Sequence, residues 1–167
     1  MRGSLTETDV ARHAEMLGNR VRKSFRHLSK RLAREGTTAF RLYDRDIPEV
    51  RAVVDWYDGD LVVAEYERTQ TATVRDWLGA MGAACAAAVD VPAERVHLKR
   101  RRARPDEGPR NEAAPAQAVK EVTEHGLRFE VDLASHADAG LSGDHRETRA
   151  WVRREADGRA LLNLYGY

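Results

Sequence analysis

The sequence predicts an α+β fold in which a mostly antiparallel sheet packs against helices. Three observations carry this reading. A long run near the N-terminus repeats its apolar residues on a helical period. Two further regions each pair β-rich segments across a two-residue turn, Asp58-Gly59 in one and His125-Gly126 in the other. With 167 residues, 42% of them hydrophobic, the chain has room for one domain or two small ones and enough apolar material for a core.

Residues 10–35, VARHAEMLGNRVRKSFRHLSKRLARE, read as one helix or as two joined at Gly18. Leu17, Val21, Phe25, Leu28 and Leu32 form one apolar stripe, and Gly36 suits a C-terminal cap. TAFRLYDRD and EVRAVVDWYDGDLVVAEYE follow as strands, the second folding into a hairpin at Asp58-Gly59. Val74, Trp77, Leu78, Met81 and Cys85 return to helical spacing over 74–89, and Pro92 closes that region. At Val96–Lys99 apolar and polar residues alternate as in a strand. Residues 103–118 contain three prolines and no apolar period, so they read as a loop. Leu127, Phe129, Val131 and Leu133 alternate in a second hairpin. A short helix over 144–156 is expected to face Trp151 and Val152 inward. After Asp157-Gly158, the run RALLNLYGY (159–167) reads as a short buried strand through Leu161, Leu162, Leu164 and Tyr165, of a kind that needs neighbours on both sides.

A net charge of +1 excludes a uniformly basic nucleic-acid binder, but the cations are not evenly spread. Arg20, Arg22, Lys23, Arg26, Lys30, Arg31 and Arg34 share the polar side of the first helix before Glu35 interrupts them. Two readings stand, a solvated basic face or a phosphate-facing helix. Lys99, Arg100, Arg101, Arg102 and Arg104 add a second basic run at the root of the proline-rich loop, which points to a polyanionic partner. The single Cys85 cannot form an internal disulfide, fits a reducing cytoplasm, and reads as a small buried residue rather than a nucleophile. The N-terminal MRGSLTETDV lacks an apolar signal core, and no run reaches the roughly 18 apolar residues of a membrane span. Cysteine–histidine metal pairs, a phosphate-binding Walker loop and a nucleophile elbow are all missing. His125 reads as a turn residue. The neighbours in DHRE do not face one another on a helix, so they make a weak acid–base pair. No catalytic residue and no metal site is assigned.

The order of segments carries a resemblance. LGNRVRKSFRHLSKRLAREGTTAFRLYDRDIPE, VVDWYDGDLVVAEY, ERVHLKRRRAR, LRFEVDLASHADAGLSGDHRETRAWV and ALLNLYGY together span about residues 16–167. In this order they resemble the bacterial large-subunit ribosomal RNA methyltransferases of the RlmK/L and RlmI type. The final run resembles the first strand of that family's Rossmann-like S-adenosylmethionine (SAM) domain. Two departures stand out. The family's Phe-Leu before its DHR motif is Ser142-Gly143 here, which implies either drift from catalytic use or different packing. Gly166 stands where the family has a small side chain.

The resemblance implies an N-terminal extension (1–15), an RNA-facing α+β domain (16–134), and a linker, helix and first strand of a truncated methyltransferase domain (135–167). Asp144, His145 and Arg146 would lie near the cofactor, and Asn163, Tyr165 and Gly166 would line the start of its turn. Without the resemblance, Asp144 and Arg146 read as a helix cap and a surface ion pair. The basic helix and the 99–104 run would grip large-subunit ribosomal RNA. SAM would serve the full-length enzyme and none would bind this chain alone, which by itself is expected to be inactive. A cytoplasmic location and no membrane contact follow from the same reading. Two alternatives stay open: a non-catalytic RNA- or ribosome-binding module, and a subunit whose exposed terminal strand pairs with a partner chain or a second copy.

Overall fold

A computed structural model describes residues 5–66, 71, 74, 76–101, 118–134 and 139–162. The first helix, α1 (Glu7–Arg34), is continuous through Gly18 and across the expected boundary at residue 15. Its start is set by a capping box: the Thr6 hydroxyl accepts from Asp9 N, and the Asp9 carboxylate accepts from Thr6 N. Its end is set by Gly36, whose φ of 65° is a left-handed stop that glycine adopts without strain.

Four strands form the main sheet in the order β1 (Ala39–Asp44), β2 (Ala52–Tyr57), β3 (Asp60–Tyr66), β4 (Val96–Arg101). The first three are antiparallel. Asp58 (φ 46°) and Gly59 (φ 92°) make the tight turn between β2 and β3, as the Asp-Gly pair predicts. β4 is parallel to β3, because helix α2 (Trp77–Val89) crosses over the sheet before β4 begins. A separate two-stranded sheet, β5 (Val119–Glu124) and β6 (Leu127–Asp132), turns at His125 (φ 47°) and Gly126 (φ 76°). The mostly antiparallel sheet packed against helices that the sequence predicts is present, with one parallel strand at its edge. The sheet is mixed, and the second hairpin lies on its face instead of extending its edge.

Pleating sorts the side chains. On one face of the main sheet, Phe40, Val54, Leu61 and Val63 pack with Leu17, Val21 and Leu32 of α1 and Trp77, Met81 and Cys85 of α2. On the other face, Ala39, Tyr57 and Val62 pack with Val122, Val131, Leu133, Ala139 and Leu141. The result is three layers: helices, main sheet, hairpin. A bulge between Arg41 and Tyr43 puts both Leu42 and Tyr43 into the helix-side core and leaves Arg41 on the hairpin side.

The α2 sequence, WLGAMGAACAAAV, is mostly small residues, which lets α1 approach closely; a Cβ at Gly18 would stand 3.2 Å from the Ala84 carbonyl oxygen. The Trp77 indole donates to Nδ1 of the buried His13 at 3.3 Å across this contact. No helix among the described residues is long and apolar enough to cross a membrane.

The C-terminal section departs from expectation. Gly143–His145 form a 3-10 turn, and α3 runs from Arg146 to Glu155. Trp151 does not face inward but is 54% exposed, because the side of α3 toward the hairpin carries Arg149 and Arg153. Leu161 and Leu162 are exposed and unpaired in any strand among the described residues. Leu164 and Tyr165 lie outside those residues.

Candidate functional site

The buried stripe of α1 turns its cations outward, and the structure sorts them by partner. Arg20 is committed to Asp46, which accepts from Nε at 2.9 Å and from Nη2 at 2.6 Å. Arg31 lies 4.0 Å from Glu35, a loose and exposed pair. Arg22 donates to the neutral Asn19 side chain at 2.8 Å and so keeps its charge uncompensated. Lys23, Arg26 and Lys30 make no ion pair among the described residues. Asn19, Arg22, Lys23, Arg26 and His27 line a groove of about 530 Å³ along the helix, and Lys30 continues the row by one turn.

The second basic run divides differently. Lys99 is 5% exposed, because pleating points it with Ala64 to the covered face of the sheet. Its ammonium is therefore not part of the exposed basic surface that the sequence suggests. Arg100 points the other way, is exposed, and stands 3.8 Å from the buried Glu65. The side chain of Arg101, and Arg102 and Arg104 entirely, lie outside the described residues.

The 3-10 turn at Gly143–His145 sits against β1, where a Cβ on Gly143 would be 3.7 Å from Arg41 N. That is ordinary van der Waals distance, so a Cβ could be accommodated here. Asp144 accepts a hydrogen bond from the Ser142 hydroxyl, which holds its carboxyl below the usual range. Asp144 and His145 are exposed; Arg146 donates from Nε to Glu147 at 3.1 Å. The void beside the turn, between β1, β2 and Leu141, is only about 10 Å³. Asp144, His145 and Arg146 do not line this void, and Asn163, Tyr165 and Gly166 lie outside the described residues.

Three polar clusters escape sequence reasoning. Arg41 donates to Asp55 from Nε at 2.8 Å and to Asp44 from Nη1 at 2.9 Å. Burial disfavours its charge, but the two carboxylates outweigh that and raise its pKa. Asp60 joins three strands: Lys120 of β5 reaches it at 2.5 Å, His97 of β4 at 3.1 Å, and Arg95 lies at 3.3 Å. Burial pushes the Asp60 carboxyl up, and the Lys120 and His97 hydrogen bonds with the nearby cations bring it below its ordinary value. Arg149 pairs with the buried Glu124. β5 mixes Val with charged and polar residues, so Glu124 does not stand out in the sequence, and its partner is not readable from spacing.

Residues 38–167 match the family model described as S-adenosylmethionine-dependent methyltransferase. Among curated relatives, the ribosomal RNA large subunit methyltransferase K/L of Hahella chejuensis is 31% identical over 161 residues, covering 95% of this chain and 22% of its own length. The protein of the same name from Pseudoalteromonas atlantica is 35% identical over 167 residues, covering 98% and 23%. The chain therefore spans less than a quarter of the length of these relatives. Among solved structures, a Streptococcus mutans protein assigned to the SAM-dependent methyltransferases matches with a TM-score of 0.53 at 19% identity, covering 91% of this chain and 37% of that one. A second methyltransferase-assigned protein, solved in complex with SAH, matches at 0.52 and 20% identity, covering 89% and 36%. These two establish likeness of fold. With the family model extending over most of its length, the chain belongs to the S-adenosylmethionine-dependent methyltransferase family.

Proposed function

We propose that the chain is the RNA-facing portion of an enzyme that methylates a base of large-subunit ribosomal RNA with SAM. The observation that carries this is the row of the half-buried Arg22 and the exposed Lys23, Arg26 and Lys30 on α1, without acidic partners among the described residues. Cations held on a rigid helix suit phosphates, which position an RNA without reading its sequence. Arg100 and the basic residues after it extend the grip. The names of the relatives supply the substrate class. SAM, when bound, supplies the methyl group. The chain's own contribution is to bind and orient RNA whose target base has been unstacked. A cytoplasmic location accompanies this role. Asp144, His145, Arg146, Asn163, Tyr165 and Gly166 are proposed to border the cofactor only when the rest of a methyltransferase domain encloses them. Calorimetry of this chain with SAM is accordingly expected to show no saturable heat at micromolar protein.

The test is salt-dependent binding to fragments of large-subunit ribosomal RNA. If about four α1 cations each meet a phosphate, log Kd against log salt has a slope of about 3 in magnitude. Replacing Lys23, Arg26 and Lys30 by Ala should weaken binding and reduce the slope by about 2. None of these residues lies on the buried stripe, so the fold should survive. A folded triple variant with unchanged affinity and slope would falsify the phosphate grip. Exposed Leu161 and Leu162 favour a second reading, in which a further chain covers this end; a monomer at high micromolar concentration by sedimentation would remove self-association.

A further inference from the structure

An open cleft of about 620 Å³ lies between the β5–β6 turn and α3, distinct from the groove on α1. Its volume falls in the range of small-molecule sites, about 300–1,000 Å³. His125 and Leu127 form the hairpin wall; Glu147, Ala150, Arg153 and Arg154 belong to the helix wall.

Both walls are held in place. Arg149 is fixed to Glu124 at 2.8 and 2.7 Å and to the Ser142 carbonyl at 2.7 Å. Arg153 donates to the His125 carbonyl at 3.2 Å. The turn is also tied to the end of α1: Gly126 N donates to Gly36 O at 3.2 Å, and His125 N donates to the Thr37 hydroxyl at 3.1 Å. The cleft therefore sits where the basic helix stops.

Its chemistry is mixed in a specific way. Leu127 offers 39%-exposed aliphatic surface beside the His125 ring. The His125 Nε2 is buried with no hydrogen-bond partner among the described residues, and the carboxylate nearest in line is Glu147 at 3.9 Å. A ligand group entering beside the exposed Glu147 side chain would satisfy that nitrogen. Arg149 is neutralised by Glu124, whereas Arg154 makes no ion pair among the described residues.

We infer that this cleft binds one unstacked nucleotide of an RNA strand. The base lies on Leu127 and the His125 ring, its polar edge meets His125 Nε2 and Glu147, and its phosphate faces Arg153 and Arg154. Single-stranded RNA is recognised in this manner, by stacking on rings or guanidinium planes and by hydrogen bonds to base edges. A free phosphate would have no use for Leu127 and Glu147, and an apolar ligand none for the two arginines. The inference rests on the reading of the chain as RNA-facing, and adds a contact that is not purely electrostatic.

The experiment uses the full chain and a labelled single-stranded oligoribonucleotide of about twelve nucleotides. Arg154→Ala should weaken binding about fivefold to tenfold and lower the salt slope by about 0.7. His125→Asn keeps a side chain that tolerates the left-handed backbone but removes the ring. It should weaken binding severalfold with the slope unchanged, since no Lys or Arg is lost. A nucleoside monophosphate should shift the backbone amide resonances of residues 147–154, and should still do so in the Lys23, Arg26, Lys30 triple Ala variant. If both cleft variants, shown folded by circular dichroism, bind as tightly as the native chain, the inference is overturned, whatever the triple variant does. If they weaken binding and the triple variant does not, the cleft stands and the α1 phosphate grip falls.

Discussion

Arg149 grips Glu124 with both arms of its guanidinium fork, Nε to Oε1 at 2.8 Å and Nη2 to Oε2 at 2.7 Å, and so joins α3 to the end of β5 across 25 residues of chain. Glu124 is 3% exposed, so its charge depends on this partner. The pairing raises the Arg149 pKa, chiefly through the hydrogen bonds to Glu124.

Arg149→Ala should destabilise the protein by about 3 kcal/mol, the low end for a broken buried pair, because Arg149 is itself partly exposed. Urea unfolding measures this. Combining it with Glu124→Gln should recover part of the loss, since the amide leaves no uncompensated charge. A single-variant loss below about 1 kcal/mol would show that the pair does not hold α3.

Asp60 makes stability depend on acidity. Its carboxyl is held below the ordinary value of 3.8 in the folded protein, so the unfolded chain binds the proton more readily. Stability from this group is therefore fully present above about pH 4 and declines as pH falls from there through the depressed folded value. Asp60→Asn should lower the urea midpoint at pH 7 and flatten its decline below pH 4. An unchanged acid limb in the variant would assign that limb to other carboxylates.

Two helical glycines should respond differently to the same substitution. Ala at Gly82 places Cβ 2.6 Å from Leu98 Cδ2, the end of a half-exposed side chain that can rotate away. Ala at Gly18 places Cβ 3.2 Å from the Ala84 carbonyl oxygen, which is backbone and cannot. Each gains up to about 1 kcal/mol of helix propensity. Gly82→Ala should be neutral or stabilising, and Gly18→Ala less favourable. Thermal melts of the two give the order, and the reverse order would contradict the close α1–α2 contact.

Cys85 should resist thiol reagents until the protein unfolds. Burial pushes its thiol up to about 12, leaving little thiolate at pH 8. Modification by a disulfide reagent should be slow in buffer and fast in urea; rapid labelling of the native chain would mean that α2 opens readily.

Local chemistry made much of the fold readable in the sequence. The stripe Leu17–Leu32, the Asp58-Gly59 and His125-Gly126 turns, and the small-residue helix around Cys85 each carry their conformation within a few residues. The basic side of α1 was legible for the same reason, because a buried stripe fixes which way every other residue points. The tertiary structure decided what depends on distant partners. It made β4 parallel, laid the second hairpin on the sheet's face, buried Lys99 and turned Trp151 to solvent. It also chose which cations are neutralised: Arg20 by Asp46, 26 residues away, and Arg149 by Glu124. A pleat alternates within two residues, but the layer that covers each of its faces, and the charge that meets each side chain, come from chain far away in sequence.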